Sequence, residues 1–221
     1  VILTIYNAEG HQVRRYSSAE KPARMPPANF PDYFKSPPNI LPAKAGANRF
    51  VWDLRYTPPA GSPYWAGPAV LHRTPRGPLA PLVLPGHYRV VLTVNGKNYS
   101  APLTVRANPN ADTTPAALRA NVHFGLKLIA VIDRNARLLR RARTALAAAT
   151  RSGDKVRARH IGNLLKQFDL QRIDGRLLEL LGRVSATNSA PNPTLANVAD
   201  TLRRRSSRAR DELAALLIPG L

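Results

Sequence analysis

The chain has 221 residues, enough for one or two domains that each bury a sizeable core. It contains no cysteine, which excludes disulfides and thiolate metal sites. Its 33 Lys/Arg against 13 Asp/Glu give a formal net charge of +20, which draws attention to nucleic acid, anionic lipid and acidic polysaccharide as partners. The excess is not gathered in one footprint. Residues 1–110 hold 13 basic and 4 acidic side chains, and residues 111–221 hold 20 and 9. No apolar run approaches the roughly 20 residues that a membrane span needs.

The first half reads as strands. VILTIY (1–6) alternates into the turn NAEG, and HQVRRYS (11–17) is placed to return as the second arm of a hairpin. In GANRFVWDLRY (46–56), alternation predicts a third strand. Asn48, Phe50, Trp52 and Leu54 share its inner face, and Asp53 lies outward beside Arg49 and Arg55, an ion-pair arrangement. GHYRVVLTVNGKNYSAPLTVR (86–106) is the clearest hairpin. Asn95-Gly96 suits the positive φ angles of a type I′ turn. Pro102 lacks a donor, which puts the second arm at a sheet edge or on a bulge. Fifteen of the 21 prolines fall between residues 20 and 86, in two stretches too long for idle loops. These stretches carry Phe30, Tyr33, Phe34, Tyr64 and Trp65, which either pin the loops to a sheet or form a partner surface.

RANPNADTTP (106–115) reads as a linker, and the grammar then becomes helical. Thr113 or Thr114 caps a first helix with Pro115 at its start. Its stripe runs Leu118, Val122, Gly125, Ile129, Ile132, Ala136, Leu139, Ala142, Leu146. SGD (152–154) breaks it and Asp154 caps the next. Ile161, Leu165, Phe168, Ile173, Leu177, Leu180, Leu181 and Val184 predict one second helix, with Gly175 in its middle. After TNSAPNP, Thr194 is the expected cap of a third helix that buries Leu195, Val198, Leu202, Ala209, Leu213 and Leu216. Three helices with short connections fold back antiparallel.

Reactive constellations are missing. The histidines at 11, 72, 87, 123 and 160 are scattered, with no HExxH. There is no GxSxG elbow, GxxxxGK[ST] or GxGxxG, and no RNA-binding aromatic motif. The strand half offers only Glu9, Glu20, Asp32 and Asp53 as acids, so paired-carboxylate hydrolysis has no second carboxylate placed to work with Asp53. No catalytic, cofactor or metal residue is assigned. The positive signal is arginine. In RNARLLRRAR (134–143), Arg134, Arg137 and Arg141 share a helix face. RRRSSRAR (203–210) adds Arg203, Arg204 and Arg205, and Ser206 and Ser207 interrupt its charge. These six arginines are the candidate polyanion contacts. The alternative is a solvated outer face whose arginine stems lie over apolar surface.

The strand motifs together resemble the C-terminal region of bacterial BNR-repeat, sortilin-like "glycosyl hydrolase" proteins. There an immunoglobulin-like module, similar to that of flagellar hook-capping proteins, follows a β-propeller. The shared features are a first strand ending in a turn at Gly10, the Gly46, Asn48, Phe50, Trp52, Asp53 motif, and Pro85, Gly86, Tyr88. In the helical tail, Leu177, Leu178, Leu180, Leu181, Val184, Pro193 and Thr194 match loosely. The resemblance implies a propeller upstream of Val1, a periplasmic or extracellular site, and catalysis, if any, in that upstream part. No Asp-box occurs in the chain, so no catalytic residue is carried over.

The expected architecture is α+β by segregation: an immunoglobulin-like β-sandwich over 1–108, then an antiparallel three-helix bundle over 112–218. The expected function is a non-catalytic accessory and interaction region whose partner is the upstream propeller or another protein. Phe30, Tyr33, Phe34, Tyr64 and Trp65 are the candidate contacts. The second reading is nucleic-acid or acidic-polysaccharide binding through the arginine helices. The third is part of a glycoside hydrolase whose active site lies upstream.

Overall fold

The computed structural model describes residues 1–21, 31, 34, 39–60 and 79–217, with only the backbone of Ala215. Strands come first and helices after them, an α+β arrangement. β1 (Ile2–Asn7), β2 (Gln12–Ser17), β3 (Gly86–Val94) and β4 (Lys97–Val105) form one antiparallel sheet in the order β2-β1-β3-β4. Both hairpins read from the sequence are present. Asn95 (φ 50) and Gly96 (φ 78) make the tight β3–β4 turn. Asn7 Oδ1 accepts the His11 N–H at 2.8 Å and closes the β1–β2 turn. Among the described residues β4 lies at the sheet edge, one of the two places that suit its proline.

One sheet face is apolar. Cross-strand partners share a face, which aligns Leu3 with Leu92 and Tyr16, Ile5 with Val90, and Tyr88 with Leu103. Ile5, Val13, Tyr16, Leu41, Val83 and Tyr88 form its buried cluster, with Phe50 and Trp52 packed against it. The T-shaped pairs Tyr16–Phe50 (4.6 Å) and Trp52–Tyr88 (5.9 Å) hold the covering segment down.

That segment corrects the predicted third strand. Among the described residues, 46–54 form no strand ladder, and the segment is joined to 81–83 only at its end, by an isolated bridge between Arg55 and Leu82 with the Val83 N–H donating to Leu54 O at 2.8 Å. Phe50 and Trp52 do face inward and Val51 outward, as alternation predicts. Leu54, however, has a left-handed φ of 55 and turns out to 41% exposure. Asn48 does not face the core; it is exposed and donates to Lys44 O and Gly46 O. Asp53 accepts the Arg55 backbone N–H, while the Arg55 guanidinium donates to Ala80 O (2.6 Å) and Ser185 O (3.1 Å). The facing strand needed for a ladder would be residues 81–85, where Pro81 and Pro85 supply no donor.

The helical half has four helices, not three: α1 (Pro115–Arg151), α2 (Lys155–Phe168), α3 (Leu170–Ser185) and α4 (Pro193–Leu217). Thr114 caps α1 and Asp154 caps α2, both through their side chains. The expected second helix is cut at Asp169, whose left-handed φ of 40 ends α2 and whose carboxylate accepts the Arg172 N–H to start α3. Gly175 lies undisturbed inside α3. The α4 cap is Asn192, which accepts the Leu195 N–H at 2.9 Å, rather than Thr194. Val198, expected inside, is 44% exposed. Leu128, Ile132, Ile161, Phe168, Leu177, Leu181, Leu202 and Leu213 anchor the common core, each worth about 1.5–3 kcal/mol on burial. α1 does contain a window long and apolar enough to cross a membrane by length and composition, and here its buried stripe packs into this core. Tyr56 packs against both the sheet cluster and the helical cluster.

Candidate interaction surfaces

The arginine runs lie on α1 and α4, which pack against each other. Helical periodicity turns Leu202, Ser206, Ala209 and Leu213 inward on α4, and Val131, Asn135 and Leu138 inward on α1. Where these faces meet, Arg134, Asn135, Arg203, Ser206, Ser207 and Arg210 surround a pocket of about 150 Å³ floored by Val131 and Leu138. Asn135 is buried and donates through Nδ2 to Asp174 Oδ1 (2.7 Å) and to Ser206 Oγ (3.0 Å). One amide thus ties α1, α3 and α4 together. Burial pushes the Asp174 carboxyl up to about 6, against the Asn135 hydrogen bond, which pulls it down.

The structure brings Arg134 and Arg203 to this pocket and adds Arg210. Arg141 instead lines a separate hollow with Arg140 and Arg157. Arg137, Arg204 and Arg205 are exposed and line neither. Ser206 and Ser207, a gap in the charge along the sequence, are part of the pocket wall. The three-four spacing from Leu202 to Ser206 to Ala209 is the signal that places Ser206 inward.

A second recess, of about 560 Å³, lies where the sheet meets the helices. Leu82, Val83, Val105, Leu118 and Val122 make it apolar, and Arg106 and Arg119 flank it. Leu54 and Leu82, two of the exposed large apolar side chains, both open into it.

A third surface is the β3–β4 hairpin. Tyr88 is buried at one end of the apolar face, but Leu92 and Val94 are half-buried and Tyr99, opposite Leu92, is 59% exposed. With a two-residue turn, Val94 and Lys97 form the closing hydrogen-bonded pair, and every second pair repeats that pattern. The N–H groups of Asn98, Ser100 and Thr104 therefore face the open edge, and Pro102 breaks that row. Of the candidate aromatic contacts, Phe34 is half-buried and its N–H bonds Pro31 O. Phe30, Tyr33, Tyr64 and Trp65 lie outside the described residues.

Among the described residues no three His, Asp or Glu side chains gather as a metal-binding group. Comparison with protein-family models, with curated proteins and with solved structures finds no match.

Proposed function

We propose that this chain is a non-catalytic interaction module, the C-terminal accessory region of a BNR-repeat β-propeller protein, acting at the cell exterior or in the periplasm. The observation that carries the interaction reading is the apolar face of the β3–β4 hairpin, which continues past its covering layer to the exposed Tyr99. A soluble domain that leaves a contiguous apolar face open presents it to a partner. Pro102 interrupts the free edge, so recognition through side chains on the face is favoured over addition of a strand.

The finer architectural reading is an immunoglobulin-like module over 1–108 followed by the helical module over 112–218. Its support is local. Tyr88, near the start of β3, donates its hydroxyl to Leu84 O four residues upstream at 2.6 Å, which resembles the tyrosine corner of immunoglobulin-like folds. The Pro85, Gly86, Tyr88 motif is then a structural device.

The propeller reading is tested by sequencing the protein upstream of Val1 for repeated Asp-boxes and by measuring binding of this chain to that upstream region made separately. Tyr99→Arg is expected to weaken binding at least tenfold, and Tyr64→Ala with Trp65→Ala to weaken it as well. Unchanged affinity in both would end the interaction reading, and an upstream region without propeller repeats would end the family reading.

A further inference from the structure

We propose that the pocket between α1 and α4 is a discrete binding site for one tetrahedral oxyanion, a phosphate or sulfate group. Three guanidinium groups, Arg134, Arg203 and Arg210, line a pocket of about 150 Å³. Arginine's planar fork of N–H donors matches the oxygens of a phosphate or sulfate.

The hydroxyls complete the donor set. Ser206 is 5% exposed and accepts from Asn135 Nδ2, which leaves its own proton to give to a group in the pocket. Ser207 Oγ accepts from Arg210 Nη2 at 2.7 Å and is left in the same state. The charges opposing an anion are Asp200 on Arg203 (3.3 Å), Asp211 on Arg210 (3.3 Å), and Asp174 behind Asn135. Asp200 and Asp211 are exposed, and exposed pairs of this kind contribute little and are readily exchanged. Arg134 spends its Nε on Ala130 O, one turn back, and its terminal nitrogens remain for a ligand. The buried Asn135–Ser206 bond holds α1 against α4 at the pocket and fixes the position of the Ser206 hydroxyl, while the three arginines reach in from the exposed rim.

This site is independent of the hairpin face, and so is its test. The full chain is titrated with inorganic phosphate and with sulfate by calorimetry at constant ionic strength, with chloride as the balancing ion. Saturable one-site binding is expected. Removing Arg134, Arg203 and Arg210 together (R134A/R203A/R210A) is expected to weaken it at least thirtyfold. The matched variant R137A/R204A/R205A removes the same charge from the same two helices and is expected to stay within twofold. Ser206→Ala, which changes no charge, is expected to weaken binding severalfold, with an unchanged helical circular dichroism signal reporting that the bundle is intact. Methyl phosphate separates the sources. Binding equal to that of inorganic phosphate marks a site for an esterified group on a larger molecule, and much weaker binding marks a site for the free ion; both support the oxyanion site. Equal losses in the two triple variants, or no saturable binding of either ion, would overturn it.

Discussion

Pro81 packs its ring onto the backbone of α1 at Gly125. A Cβ on Gly125 would collide with Pro81 Cγ, and Pro81 is fully buried. The proline cannot give way easily, since its carbonyl accepts the Tyr56 N–H at 3.1 Å. Gly125 therefore serves close approach, as small residues do where two elements touch.

Gly125→Ala is expected to destabilise the protein by about 1–3 kcal/mol through overpacking, despite the gain of about 1 kcal/mol that alanine brings to a helix. Gly175→Ala is the counterpart. It is exposed in α3 with open space around its Cβ, and should stabilise by about 0.5–1 kcal/mol. Urea midpoints of the two variants moving in opposite directions would bear this out. A stabilised Gly125→Ala would mean that the contact is slack.

Arg55 reaches across the same junction to Ser185 O, in the last turn of α3, where the helix dipole is negative. Arg55→Ala should cost about 2–3 kcal/mol, the scale of two hydrogen bonds from a charged donor. Lysine should recover less than half, because a single ammonium does not reproduce the reach of the guanidinium fork. Chemical denaturation of the three proteins decides it.

Tyr88 is held protonated by burial, with its hydroxyl pushed up to about 12 from 10.0. The folded state binds this proton more tightly than the unfolded state. The associated stability is whole below pH 10 and is lost as pH rises from 10.0 to about 12. Tyr88→Phe should cost about 1 kcal/mol at neutral pH by stranding Leu84 O. It should also remove a late-ionising phenol from the ultraviolet titration of the folded protein.

Asp174 shows the same sign in another range. Its folded value of about 6 lies above 3.8, so the folded state holds the proton longer. Stability from this group is present at low pH and is lost as pH rises from 3.8 to about 6. Asp174→Asn keeps an acceptor for Asn135 without the charge. It should be more stable than the parent at pH 7 by about 1–2 kcal/mol, after discounting for partial exposure, and the difference should vanish near pH 4. A constant difference across that range would show that the carboxylate is not desolvated.

Local features are the ones legible in the sequence. The β3–β4 hairpin is readable because its arms and its Asn95-Gly96 turn are contiguous. The caps at Thr114 and Asp154 are readable because a cap acts within three residues. The Trp52 stretch is only half readable. Alternation decides which way Phe50 and Trp52 face, but pairing depends on a distant partner, and Pro81 and Pro85 deny it one. The break at Asp169 is hidden because apolar spacing continues on both sides of it. The clue is an aspartate able to adopt the left-handed conformation and to cap the next helix. Of the six candidate arginines, spacing along each helix is legible. The meeting of Arg134 with Arg203 is not, because it depends on how α1 and α4 are set against one another.

Tyr56 touches both apolar clusters, while Arg55, Tyr56 and Pro81 tie the sheet to the helices through contacts that do not involve residues 106–114. The covalent connection is therefore not the fastening. A protease that nicks the chain within 106–114 should release no fragment under native conditions. The two pieces would travel as one particle until denaturant parts them, and from then on their reunion would be a second-order event governed by concentration.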